Sequence, residues 1–140
     1  MPDLSISLVQ EPAPAEREAV IAGLRAYNRR HAPAPGWQSL LLLVRGGDGE
    51  IVGGLIGESG WEWLYIQFVW VSDSMRFQGF GRSLMARAEA EAVARGCRGV
   101  HLDTHDFQAP AFYERLGYRT FGLLEDYPTG FRRHFLWKPL

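Results

Sequence analysis

Residues Trp61 to Val71 read WEWLYIQFVWV, a run dense in aromatic and branched side chains. A strand with one wet face alternates apolar and polar residues; this run is too continuous for that and reads as the central strand of a sheet covered on both sides. A central strand needs neighbours and covering helices, and the flanking sequence offers both.

Leu4, Ile6 and Leu8 alternate with Ser5 and Ser7 at period two, which predicts a first, half-buried strand. After Pro12 and Pro14, Ala15 to His31 places Val20, Leu24 and Tyr27 on one helical face. Glu16 and Glu18 stand early and Arg29, Arg30 and His31 late, matching the helix dipole. Two prolines and a glycine in His31 to Trp37 break that helix. Leu40–Val44 and Ile51–Ile56 flank a glycine-rich turn and predict a hairpin, with Glu58-Ser59-Gly60 as the break before the central strand.

From Phe80 to Arg95 the period becomes helical. Leu84, Met85, Ala88, Ala92 and Val93 form an apolar stripe, and Arg87, Glu91 and Arg95 stand four apart as surface ion pairs. A strand over 99–104, a short helix over 110–116, and strands over 119–124 and 131–137 complete the chain. The expected fold is an α+β, three-layer α/β domain: a mixed, mostly antiparallel sheet of about six to seven strands with helices on both faces. With no internal repeat or linker-like stretch, residues 1–140 read as a single domain.

Fifteen basic and sixteen acidic residues leave a net charge of −1, so no global field favours nucleic acid or anionic lipid, and any anion site must be local. The lone Cys97 excludes an intramolecular disulfide. No export signal or run of about twenty apolar residues is present, and the expectation is a cytoplasmic protein without membrane or nucleic-acid partners.

The segment Val71-Ser-Asp-Ser-Met-Arg76-Phe-Gln-Gly79-Phe-Gly81-Arg82-Ser83-Leu84 runs from the buried strand through a glycine turn into the amphipathic helix. Without Cβ atoms at Gly79 and Gly81 the backbone can curl, so that a diphosphate reaches successive N–H groups at the positive end of the helix. An ordinary strand-to-helix turn would use the same glycines only for the bend. A P-loop would need Lys-Ser/Thr after the last glycine, and a dinucleotide fingerprint a third glycine; neither is present.

Arg76-x-x-Gly79-x-Gly81 resembles the acyl-CoA signature of the GNAT superfamily of N-acetyltransferases, and Ala109-x-x-Phe112-Tyr113-x-x-x-Gly117-Tyr118 is similar to its downstream element. The resemblance covers nearly the whole chain, with diagnostic residues confined to the C-terminal half. It implies that acetyl-CoA binds between splayed central strands. Backbone N–H groups from Gln78, Gly79, Phe80, Gly81, Arg82 and Ser83 would hold the pyrophosphate, with charge from Arg76 and Arg82. Val69, Trp70 and Val71 would pair with the pantetheine arm, an amide near Val71 would polarise the thioester carbonyl, and Phe112 would border the cofactor. Tyr113 falls where many members carry the acid that protonates the departing thiolate; as an isolated residue it equally suits a core tyrosine. Asp106 stands where many members have Asn, and an ionised carboxylate cannot donate to pantetheine.

The resemblance implies acetyl transfer to a primary amine of a small molecule or peptide by direct attack in a ternary complex. Monomer and homodimer both stay open. A silent acyl-CoA-binding domain of the same fold is the alternative, and an RNA-binding module using Phe77 and Phe80 a second. An amine near pKa 10.4 costs about 4.6 kcal/mol to hold neutral at pH 7, so a base is expected. Glu62, Asp73, Asp103, His101, His105 or water are candidates. His101, Asp103 and His105 alternate as three metal ligands would, yet nothing else in the chain demands a metal, and none is expected. Trp37, Trp61, Trp63 and Tyr65 suit either an acceptor pocket or packing. Cys97, beside the helix-ending Gly96 and without an adjacent base, reads as packing and not as a nucleophile.

Overall fold

The computed structural model describes residues 3–140, which fall into two compact units, up to Ala34 and from Pro35 onward. In the first unit α1 spans Pro14–Asn28, opened by a proline in its first turn and by the Glu16 side chain accepting from Ala13 N–H at 2.9 Å. Within the first unit residues 3–9 form no strand, although Leu4, Ile6 and Leu8 alternate as expected. Alternation marks a chain suited to a sheet edge; it supplies no partner backbone.

The second unit is a six-stranded sheet with two helices. Its strands are β1 (Gln38–Arg45), β2 (Ile51–Gly60), β3 (Trp63–Val71), β4 (Gly99–His105), β5 (Arg119–Leu124) and β6 (Arg133–Pro139), in the order β1-β2-β3-β4-β6-β5. Only β3 and β4 are parallel. Helix α2 (Phe80–Ala94) crosses between those two strands, and α3 (Pro110–Arg115) follows β4. Leu84, Met85, Ala88 and Ala92 of α2 join Leu55, Leu64, Val100, Leu102 and Leu136 of the sheet in one core. The predicted stripe is therefore buried except for Val93, which is 59% exposed.

Strand β2 extends through Glu58-Ser59-Gly60, which the sequence marks as a break. Its glycines serve close approach: a Cβ on Gly53, Gly54 or Gly57 would meet a neighbouring strand carbonyl at 2.7–2.9 Å. The turn falls on Trp61 and Glu62, both at positive φ (47° and 64°), which removes them from the central strand. Such backbone costs roughly 1–2 kcal/mol per residue. Compensation comes from Trp61 N–H to the Pro35 carbonyl, Arg98 N–H to the Glu62 carbonyl, and an Arg98–Glu62 ion pair at 3.1 Å. Of the expected helical ion pairs Glu91–Arg95 forms, at 3.0 Å; Arg87 joins none among the described residues. Arg95 also donates to the Ser59 hydroxyl and to the Gln38 and Ser39 carbonyls, tying the end of α2 to β1 and β2.

Candidate active site

The site begins with a slip in register. Ile56 pairs with Phe68 and Gly57 with Ile66, so Gln67 is an extra residue in β3, a β-bulge. A bulge bends its strand and increases local twist. Pairing of β3 with β4 ends at Ile66–Leu102, and beyond it the strands part, leaving Gln67 to Val71 without a β4 partner. A cleft of about 850 Å³ opens there, lined by the free end of β3, the loop into α2, Leu102 to Thr104 of β4, and α3.

At one end of the cleft a 3-10 turn, Asp73–Met75, leads into the start of α2. Gly79 is the N-cap of α2 at φ 83°, the left-handed region, and no side chain caps the helix. N–H groups in a first helical turn have no intrahelical acceptor, so those of Phe80, Gly81 and Arg82 stand at the cleft wall. Ser83 differs from expectation: its N–H is spent on the Gly79 carbonyl at 3.0 Å. Gln78 differs as well, since it does not line the cleft and its side-chain amide donates back to the Ser74 carbonyl. Arg76 lines the cleft and pairs with Asp73 at 3.2 Å. Arg82 lines it without an ion pair among the described residues, as does Arg115, which sequence reasoning missed because a basic residue in a last helical turn serves the helix dipole equally well.

Across the cleft stand Phe112 and Tyr113. A Cβ on Gly81 would lie 3.4 Å from the Phe112 ring, so the glycine motif and the downstream motif meet in space. Tyr113 is 9% exposed, packs edge-on against Phe112 and Tyr118, and lines the cleft. Its hydroxyl titration is shifted by burial alone, with no hydrogen bond among the causes. Burial pushes its pKa up to about 12, so the phenol is a proton carrier at any working pH.

Of the five base candidates only Asp103 lines the cleft. Glu62 is bound to Arg98 at the β2–β3 turn, and Asp73 to Arg76. His101 stacks on Tyr65 at 4.8 Å, its pKa lowered mainly by burial. His105 contacts Gln108 through Nδ1. Asp103 itself accepts from Arg133 at 2.6 Å and from the Tyr65 hydroxyl at 3.0 Å. Each member of the alternating His101, Asp103, His105 set is thus engaged with protein groups, and no group of three such side chains could hold a metal among the described residues. Asp106 accepts from Arg132 N–H and pairs with His134, first of these lowering its pKa being the His134 contact. It stays an ionised acceptor fastening the turn before α3 to β6.

Trp70 lines the cleft, whereas the tryptophans weighed for an acceptor pocket lie elsewhere. Trp37 packs against Trp61, and Trp63 against His101 and Trp137, none of them lining the cleft. Phe68 and Phe107 line the cleft although the sequence attached no role to either. Cys97 packs beside the core, and burial raises its thiol pKa, the opposite of what a nucleophile needs. Cys97→Ala therefore keeps wild-type kcat in a thiol-release assay; a loss beyond tenfold would contradict a direct transfer.

A strand-bulge cleft facing an uncapped helix start defines an acyl-CoA-type site. The Acetyltransferase (GNAT) family model matches residues 6–118, and the chain belongs to that family. Blasticidin-S acetyltransferase of Streptomyces morookaense is 47% identical over 93 residues, 66% of this chain and 68% of that protein. An acetyltransferase of Agrobacterium fabrum is 36% identical over 124 residues, 88% of this chain and 90% of the relative. A crystal structure of an acetyltransferase from Bacillus cereus superposes with a TM-score of 0.87 at 34% identity, covering 96% of this chain and 98% of that one. The chain is an acetyl-CoA-dependent N-acetyltransferase. Its cleft fits that co-substrate: an open seat beside Gly79, where a Cβ would meet nothing within 4 Å, unspent amides, and cationic side chains. No helix of the described residues is long and apolar enough to cross a membrane.

Proposed function

We propose that this enzyme acetylates a primary amine of a small molecule by direct attack within a ternary complex, with Tyr113 as the proton donor to the leaving thiolate. The observation that carries the reading is the bulge at Gln67, beyond which one continuous cleft runs from the uncapped start of α2 to Tyr113. The pyrophosphate would sit on the amides of Gly79 to Arg82, with Arg76, Arg82 and Arg115 facing the phosphates. Pantetheine would pair along Gln67 to Val71, and one amide of that freed edge would face the oxyanion formed at the thioester carbon.

The neutral amine nitrogen attacks that carbon, the carbon–sulfur bond breaks, the thiolate takes the Tyr113 proton, and the proton lost from nitrogen passes to water, from which Tyr113 is reprotonated. Asp103 is the carboxylate that can orient the amine. Its oxygens already accept from Arg133 and the Tyr65 hydroxyl, and water in the open cleft takes the proton. Similarity to a blasticidin-S acetyltransferase supports a small-molecule acceptor of the antibiotic type. The test is thiol release from acetyl-CoA with a panel of amine-bearing antibiotics, polyamines and lysine peptides. Turnover is expected with members of the first group; turnover restricted to lysine peptides would overturn the small-molecule assignment.

A further inference from the structure

Four rings gather at the rim of the cleft beyond Asp103, on the turn before α3 and the connection from β5 to β6. Phe107 stacks on His105, with centroids 5.1 Å apart and planes 14° from parallel. His105 meets Tyr127 at 5.7 Å, and Phe107 meets the edge of Phe131 at 5.2 Å. Phe107, Tyr127 and Phe131 are 57%, 46% and 41% exposed. Clustered aromatic rings left in water mark a surface that is covered in use.

Its occupant follows from what the wall is continuous with. Phe107 also lines the cleft, and Tyr127 lies under the Arg133 guanidinium at 4.9 Å, which also pairs with the Asp103 carboxylate and covers the Phe135 ring. One surface therefore joins the reaction cleft, a carboxylate and a bank of rings. We propose that the wall of His105, Phe107, Tyr127 and Phe131 is the acceptor subsite and selects a primary amine attached to a planar conjugated ring, which stacks on the wall while the ammonium meets Asp103. This rests on the amine-transfer reading above. Flat rings favour stacked or edge-on partners over flexible aliphatic chains, which would gain only area burial.

The test compares KM for tryptamine, which carries a planar ring, with KM for 1,4-diaminobutane, which carries none. Wild type should favour tryptamine at least fivefold, since loss of one stacking partner is worth about 1–3 kcal/mol, or roughly 5- to 150-fold. Phe131→Ala should collapse that preference toward unity with KM for acetyl-CoA unchanged, and Tyr127→Ala gives the same readout where the first variant folds poorly. Equal KM values for the two amines in wild type, or an unchanged preference in both variants, would overturn the subsite while leaving amine transfer intact. Failure of every amine to release thiol, with acetyl-CoA still bound, would overturn the transfer reading itself.

Discussion

Tyr113→Phe lowers kcat by about 10²-fold or more and leaves acetyl-CoA affinity within twofold, because general acid catalysis by a placed group contributes typically 10²–10⁴. Only the hydroxyl is removed; the ring keeps its contacts with Phe112 and Tyr118. Burial holds the phenol near pKa 12, so complete proton transfer to the free thiolate, near 8.5, would be uphill by about 5 kcal/mol, and transfer before bond cleavage costlier still. The proton must therefore move as negative charge grows on sulfur. The pH profile carries the same sign: a group with pKa about 12 stays protonated through pH 10, so it produces no alkaline decline, and the rise of rate with pH reports the acceptor amine becoming neutral. Unchanged kcat in the variant would remove Tyr113 from the acid role.

Gly79→Val raises the acetyl-CoA Kd by more than 100-fold. The residue stands at φ 83°, where a β-branched side chain is strained by several kcal/mol relative to glycine, so the first turn of α2 rearranges and its amides no longer converge. A Cβ there meets no protein atom within 4 Å, so the loss comes from the backbone and from the space claimed by the ligand. In thermal unfolding, acetyl-CoA at about 100 times the wild-type Kd adds about 2.7 kcal/mol to the wild type and almost nothing to the variant. Gly79→Ala should fall between them. An undiminished ligand-induced shift in Gly79→Val would show that the phosphates are bound elsewhere.

The features legible in the sequence were those written as residue types. Gly79 and Gly81 announced the helix start, Leu84 through Ala92 the buried helix face, and the Phe112-Tyr113 pair the opposite wall. The bulge was not legible, because inserting Gln67 into an apolar strand shifts the register of partners without changing composition. Yet that shift opens the cleft. Trp37 and Trp63 stayed open between pocket and packing for a related reason. Gly60 and Gly99 lack the Cβ that would lie 2.3–2.5 Å from Trp37 and Trp63, so these rings are seated against backbone by residues distant in sequence. Asp103 could be named as one candidate among five, but only the fold places it in the cleft and the other four outside. The segment from Leu4 to Leu8 shows the converse failure, a strand-like pattern that forms no strand.

A crystal structure of the protein with acetyl-CoA bound tests the central claim most directly. Pyrophosphate oxygens are expected within hydrogen-bond reach of the amides of Phe80, Gly81 and Arg82, and pantetheine along Gln67 to Val71 with its sulfur beside the Tyr113 hydroxyl. Density for the coenzyme outside the β3–β4 cleft, or phosphates with no contact to the start of α2, would contradict that claim.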